Sequence, residues 1–232
     1  FLARAVRGVT SRLIVLRPEP GASATAKRAE QAGWAVTVLP LFEIAPLAWT
    51  PPDPGDFDAV LMTSANAARF GGAGLARYHG LPLYAVGART ADAAHEIGFD
   101  TVISGDAGVA EMADRMRADD AARIFHPSGE TVRGFDESTL TVVHVPVYAA
   151  RRVTAPDLQS AIVDDAILLV HSPRAAQYLD ELCSAQGIAR DSLSLIAISS
   201  NALAEAGTGW RAAVAAERPT DDAMLAATSL LG

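Results

Sequence analysis

Two serines, Ser64 and Ser172, occupy the same point in a repeated pattern, and their surroundings define the chemistry open to this chain. The first copy reads DAVLMTSANAARF followed by LPLYAVG; the second reads AILLVHSPRAAQY followed by LSLIAIS. Setting Ser64 on Ser172 brings Ala67 onto Ala175, Ala68 onto Ala176 and Phe70 onto Tyr178. In both copies an apolar run of strand length ends at a hydroxyl residue and passes directly into a helical pattern, as when a buried parallel strand feeds a helix N-terminus. Hydroxyls and free backbone N–H groups at such turns suit anionic groups, and two turns facing each other would line an anion-binding cleft.

The elements that must position those turns follow from the flanking segments. RLIVLRP (12–18) reads as a strand, and ATAKRAEQAG (24–33) as a helix closed by its glycine. WAVTVLPLFEIAPL (34–47) is extended and interrupted by Pro40, and WTPPDPGD (48–55) is a Pro/Gly-rich linker. TVVHVPVYAARRV (141–153) is extended again, with Pro146 answering Pro40. An opening strand and helix are thus left over at the N-terminus, while the second repeat copy lacks those same elements. A discontinuous domain repairs both faults: residues 11–39 join 154–232 as one α/β lobe, residues 48–142 form an inserted α/β lobe, and 40–47 and 143–153 pair as a two-stranded connector. Residues 1–10 are left as a tail. Strands alternating with helices give an α/β fold of two parallel-sheet lobes, Rossmann-like or flavodoxin-like, with ligand expected in the cleft outside the carboxyl ends of the strands.

Composition narrows the function classes. The 232 residues are 50% hydrophobic, enough for two cores of about 100 residues each, yet no apolar run reaches the roughly 18 residues that cross a bilayer. A soluble protein with no membrane partner is expected. The formal net charge is −8 and Lys27 is the one lysine, which argues against a nucleic-acid surface. Cys183, the single cysteine, cannot form an internal disulfide and reads as a helix packing residue, which fits the reducing cytoplasm. The opening FLARAVRGVTSR lacks an initiating methionine and reads as a trimmed or truncated start instead of a targeting peptide. There is no Gly-x-Gly-x-x-Gly dinucleotide turn and no Gly-x-x-x-x-Gly-Lys phosphate loop, and His79, His95, His126, His144 and His171 show no paired metal-ligand spacing.

Seven short motifs in order carry a family resemblance. They are Leu16-Arg17-Pro18, LPLFEIAP (39–46), Thr63-Ser-x-Asn-Ala67, Ala85-Val-Gly-x-x-Thr90, VPVYAA (145–150), Ser172-Pro173 and Glu217-x-Pro-Thr220. In this order and spacing the chain from residue 12 onward resembles uroporphyrinogen-III synthases. Two departures stand out. ISSNALAEAG (198–207) replaces the family's second Gly-x-x-Thr turn, so that Ser199, Ser200 and Asn201 must supply its polar contacts. The segment HPSGETVRGFDESTL (126–140) is shorter than the family's usual helix there.

What the resemblance implies is a cyclising lyase of haem biosynthesis. The linear tetrapyrrole hydroxymethylbilane loses its terminal hydroxyl as water, ring D is inverted through a spiro intermediate, and uroporphyrinogen III is released, with no metal or organic cofactor. One weak acid and good positioning would suffice. Tyr148 matches the family's functional tyrosine and stands on a connector, and a phenol is protonated at neutral pH; equally, a tyrosine in an extended apolar segment can simply pack its ring. The substrate carries eight carboxylates. Thr63, Ser64, Asn66, Thr90 and Ser172 begin helices and could meet them, although each hydroxyl is also what an ordinary N-cap needs. Arg17, Arg89, Arg151 and Arg174 lie at strand ends or beside the tyrosine and could pair with carboxylates, or could be solvated surface residues. A monomer is expected, with transient hand-over of substrate from the preceding biosynthetic enzyme. Two rivals remain at this stage: a non-catalytic two-lobed module that closes on a small anion or tetrapyrrole, with no use for Tyr148, and a nucleotide-dependent transferase, against which the missing glycine fingerprint counts.

Overall fold

The structure is a computed structural model and describes residues 12–231 apart from Arg133, Ala155, Val163 and Asp164; the tail expected over residues 1–10 lies outside the described residues. In chain order the first half runs β1 (Arg12–Val15), α1 (Gly21–Gln31), β2 (Ala35–Val38), β3 (Phe42–Pro46), β4 (Ala59–Met62), α2 (Ala65–Phe70), β5 (Leu83–Val86), α3 (Ala88–Glu96), β6 (Val102–Gly105) and α4 (Val109–Ala118). The second half continues with β7 (Arg123–Gly129), β8 (Thr141–Arg152), α5 (Leu158–Ala161), β9 (Ile167–Val170), α6 (Pro173–Ala185), β10 (Ser194–Ala197), α7 (Ser200–Ala204), β11 (Ala212–Ala215) and α8 (Asp221–Ala226). The chain divides into two compact units. One comprises the residues up to Glu43 and from Arg152 on; the other is Ile44–Arg151.

The discontinuous unit holds a five-stranded sheet in the order β11-β10-β9-β1-β2, with every neighbouring pair parallel. Its β9 and β10 are buried along their whole length, as strands covered by helices on both faces must be. Helix α1 turns Ala22, Thr25, Ala26 and Ala29 inward, a stripe at i, i+3, i+4 and i+7. Helix α6 does the same with Ala175, Ala176, Tyr178, Leu179, Leu182 and Cys183. It starts cleanly because Ser172 caps it and Pro173 fills its first position, where a missing N–H costs nothing.

The contiguous unit holds a six-stranded sheet ordered β3-β8-β7-β4-β5-β6, whose strands from β8 to β6 are parallel. Reading across the two sheets, β11-β10-β9-β1-β2 corresponds to β6-β5-β4-β7-β8. The units therefore share one arrangement, entered by the chain at different strands, and the repeated turns at Ser64 and Ser172 fall on the corresponding strands β4 and β9. This is why the second sequence copy lacks an opening strand and helix: its partners β1 and β2 were already made at the start of the chain.

Two expectations change. Residues 48–55 are not a free linker. Trp49 stacks on Phe125 with ring centroids 5.9 Å apart and donates Nε1–H to Gly71 O, and Tyr78 donates its hydroxyl to Pro52 O at 2.8 Å, so the segment is strapped onto the core beside Phe57 and Leu75. Nor does Pro146 interrupt its segment. β8 runs unbroken from Thr141 to Arg152, and the register against β7 slips so that Ser128 faces Pro146 while Gly129 faces Tyr148. The bulge leaves Val147 as the extra residue and accommodates a proline that cannot donate to a ladder.

Because Ile44–Arg151 contains all of its sheet except the first residues of β3 and the last of β8, together with two separate buried clusters, one around Phe125 and Tyr78 and one around Met112 and Met116, it is expected to fold alone. Expressed as a fragment it should show a single cooperative urea transition by circular dichroism; a broad, non-cooperative profile would show that it depends on the rest of the chain.

Candidate active site

In a doubly wound sheet the crevice lies at the carboxyl ends of the strands where the order reverses, which is between β1 and β9 in one unit and between β7 and β4 in the other. The candidate residues fall at these strand ends or on the neighbouring strands of each sheet, and the two sets are built differently.

In the discontinuous unit β1 is followed by Leu16-Arg17-Pro18, and Arg17 lies back over the first turn of α1. A Cβ at Gly21 would fall 2.5 Å from its Nε, so a larger residue there would displace the guanidinium from this position. Arg17 Nη1 donates to Asp221 Oδ1 at 3.0 Å, and Arg28 Nη1 donates to Asp221 Oδ2 at 2.7 Å. Thr25 Oγ1 is 3.1 Å from Oδ2, and His171 Nε2 is 3.2 Å from Oδ1. Burial alone would push the Asp221 carboxyl up, but the His171 hydrogen bond, the Arg17 charge and the Thr25 hydroxyl together hold it well below the usual carboxylate range. Burial also pushes the His171 imidazole down, so His171 serves Asp221 as a neutral donor through Nε2–H. The other candidates follow the neighbouring strands. Ser172 caps α6 by accepting from Ala175 N, Ser199 caps α7 by accepting from Ala202 N, and Ser200 is exposed in the first turn. Arg174 is exposed, with its guanidinium 5.3 Å from the centroid of the Phe42 ring.

In the contiguous unit Thr63 is exposed at the end of β4, and Ser64 caps α2 by accepting from Asn66 N at 3.2 Å. Thr90 does not begin its helix. Gly87, at φ 83°, is the cap of α3 and Ala88 its first residue, so Arg89 is exposed in the first turn while Thr90 is buried one step further in. A glycine able to take a positive φ ends β5 abruptly and starts the helix earlier than a hydroxyl cap would. Tyr148 is half-buried and packs on the cluster containing Val147 and Phe125. Its ring lies against Gly129, where a Cβ would come within 3.0 Å of Cζ and 3.1 Å of the hydroxyl oxygen. The bulge therefore aims the phenol, and the glycine opposite makes space for it. Arg151 is engaged: Nη1 and Nη2 reach the two carboxylate oxygens of Glu130 at 2.9 and 3.1 Å.

Several participants were missed from sequence. Asp221, directly after the Glu217-x-Pro-Thr220 motif, is separated in the chain from Arg17 by 204 residues, and no local pattern joins them. His126 and His144 lack metal-type spacing, yet β7 and β8 pair in a register that sets them opposite each other. Their Nδ1 atoms are 2.8 Å apart; His126 Nε2 is 3.2 Å from Thr63 Oγ1 and His144 Nε2 is 3.0 Å from Glu137 Oε1. Burial pushes the His126 imidazole down to about 3, with the neighbouring His144 adding to the shift.

The family model for uroporphyrinogen-III synthase HemD matches residues 23–226. No curated protein matches the chain. Among solved structures, uroporphyrinogen-III synthetase from Helicobacter pylori superposes with a TM-score of 0.65 at 16% identity, covering 96% of this chain and 100% of that one. A mutant uroporphyrinogen III synthase from the extremely thermophilic bacterium Thermus thermophilus gives a TM-score of 0.48 at 15% identity, over 95% of this chain and 98% of that one.

The Asp221 cluster generates a stability prediction. Asp221→Asn leaves two arginines facing a neutral amide; because those arginine side chains keep 27% and 42% exposure, the expected loss is on the order of 2–3 kcal/mol instead of the larger cost of a fully buried pair. The folded carboxyl is held below its unfolded value, so the contribution is fully present above the ordinary carboxylate range and fades as pH falls from there toward the depressed value. Urea denaturation of both proteins should give a difference that is constant from about pH 7 to 5 and shrinks below about pH 4. A difference that grew on acidification would overturn this account.

Proposed function

Because the chain belongs to the uroporphyrinogen-III synthase family, the cyclising lyases of haem biosynthesis, we propose how its own residues carry that reaction: Tyr148 as the acid for the leaving hydroxyl and the two strand-end rims as holders of the carboxylates. The family's substrate is hydroxymethylbilane. The phenol of Tyr148 gives its proton to the terminal hydroxyl, the C–O bond breaks, and water departs from a conjugated methylene-pyrrole cation. Attack on that cation by the substituted carbon of ring D forms the spiro intermediate, which reopens and closes with the ring inverted. Loss of a ring proton restores the pyrrole and can return a proton to the phenolate. The observation that carries the proposal is the placement of Tyr148, turned by a bulge and seated against Gly129.

Carboxylate binding is proposed to be shared. Arg17 is fixed by Asp221, Arg151 is held by Glu130, and Arg89 and Arg174 are exposed. The Glu130 pair is half-exposed, so exchanging it for a substrate carboxylate costs under about 1 kcal/mol. Ser64, Ser172 and Ser199 cap their helices and leave other first-turn N–H groups available. The same proposal extends to a cytoplasmic monomer that takes its unstable substrate from the enzyme making it. The lone Cys183, buried in α6, suits a reducing compartment, and no helix among the described residues is long and apolar enough to cross a membrane.

Freshly generated hydroxymethylbilane decides the matter: uroporphyrinogen III should form, whereas accumulation of only the uninverted isomer, with or without binding, would leave a non-catalytic module. Tyr148→Phe should lower kcat by about 10- to 1,000-fold with product affinity nearly unchanged. Full activity would return Tyr148 to a packing role. Arg151→Ala and Arg174→Ala should each weaken product binding by less than about 30-fold, with affinity falling as salt rises. A single arginine that abolished binding without salt dependence would replace the shared cradle with one clamp.

A further inference from the structure

Thr63, His126, His144 and Glu137 form a continuous hydrogen-bonded row from an exposed hydroxyl, through a buried imidazole, to a half-exposed carboxylate. The row runs in one direction or the other. Glu137 as a carboxylate can only accept, so His144 must present Nε2–H to it. With His144 neutral, its Nδ1 is a lone pair; His126 then donates Nδ1–H to it, and His126 Nε2 accepts the Thr63 hydroxyl proton. In that state Thr63 offers only lone pairs outward and repels a carboxylate.

We propose that Thr63 becomes a carboxylate donor only when the row has taken up one proton, which comes to rest on His144 beside Glu137, so that His126 and His144 are positioning residues for the Thr63 hydroxyl. The balance is simple. A proton reaches the Thr63 oxygen, the former Thr63 hydrogen passes to His126 Nε2, and the His126 Nδ1 hydrogen passes to His144 Nδ1. Only O–H and N–H bonds change, and Thr63 now points an O–H outward. The charge settles on His144 because His126 is 1% exposed whereas the His144 side chain keeps 30% and faces a carboxylate at 3.0 Å. His144 bears on His126 across the strand pair, and Glu137 bears on His144 from the segment before β8. From α4, Arg117 holds the flanks of Glu137 by donating to Asp136 O and Ser138 O, and it pairs with Asp114 and Asp136.

Histidine tautomers are read directly by long-range proton–nitrogen correlation on ligand-free protein labelled with 15N-histidine, which does not depend on the assigned reaction. His126 should carry its proton on Nδ1 at high pH and switch to Nε2 as the row takes up one proton, with one shared midpoint for both rings. Glu137→Ala, at a half-exposed site, should lower that midpoint, and His144→Phe should abolish the switch. One unchanging His126 tautomer across the titration overturns the proposal. The ligand arm rests on the tetrapyrrole reading: calorimetric titration with uroporphyrin III in buffers of different ionisation enthalpy should show up to one proton taken up above the midpoint, and Thr63→Val should lose it. Binding without uptake overturns the proposal. If uroporphyrin III does not bind, the tetrapyrrole reading fails and the tautomer switch alone decides.

Discussion

Strands β4, β9 and β10 are buried along their whole length, and a parallel strand sealed on both faces can meet a ligand only through the residues that follow its last buried position. The turns at the ends of these strands obey that constraint. Thr63 follows β4, His171 and Ser172 follow β9, Ser199 follows β10 by two residues, and Arg17 follows β1. Each such residue must end a strand, start a helix and present a polar group at once. Ser64, Ser172 and Ser199 each end a strand turn and cap a helix with one hydroxyl, so in the proposed reading a substitution there would disturb capping and binding together.

The two units reach the same geometry from different chain entry points, and the difference has consequences for what sits at each order reversal. In the discontinuous unit β1 and β9 come from opposite ends of the chain, and the rim is fixed by a carboxylate, Asp221, that collects Arg17, Arg28, Thr25 and His171. In the contiguous unit the corresponding strands β7 and β4 are joined within one stretch of chain, and the place of the ion cluster is taken by a hydroxyl–imidazole row. Both rims contain a buried histidine kept neutral by desolvation. One serves an anion already in the protein; the other is connected to the outside through Thr63.

What could be read from sequence was whatever a short segment specifies by itself. Buried runs, hydroxyl caps and the duplicated turn are local, and the layout of two parallel α/β sheets follows from them. Three features were not legible, each for a physical reason. Thr90 was expected to open its helix because hydroxyls make good caps, but Gly87 at positive φ begins the helix first. Pro146 was expected to interrupt its strand, but a one-residue slip against β7 absorbs it and also turns Tyr148. The pairing of His126 with His144, and of Arg17 with Asp221, depends on strand register and on tertiary closure, which no spacing rule within one segment encodes.

An acidic protein of net charge −8 that holds a substrate with eight carboxylates needs local fields opposed to its overall one. A buried carboxylate on the binding rim would at first work against this. Its effect is the reverse, because Asp221 fixes two guanidiniums and leaves one positive charge in excess, and it locks Arg17 over α1 where a free arginine would wander into solvent. The rotamer entropy of Arg17 is lost on folding, so in the proposed cradle a carboxylate would meet a cation already oriented. Arg151 follows the same logic more loosely, parked on Glu130 in half-exposed positions where exchange is cheap. In the proposed reading, preorganised cations held by the protein's own acids, together with helix starts whose N–H groups carry no net charge, are what would let a negatively charged chain bind a polyanion.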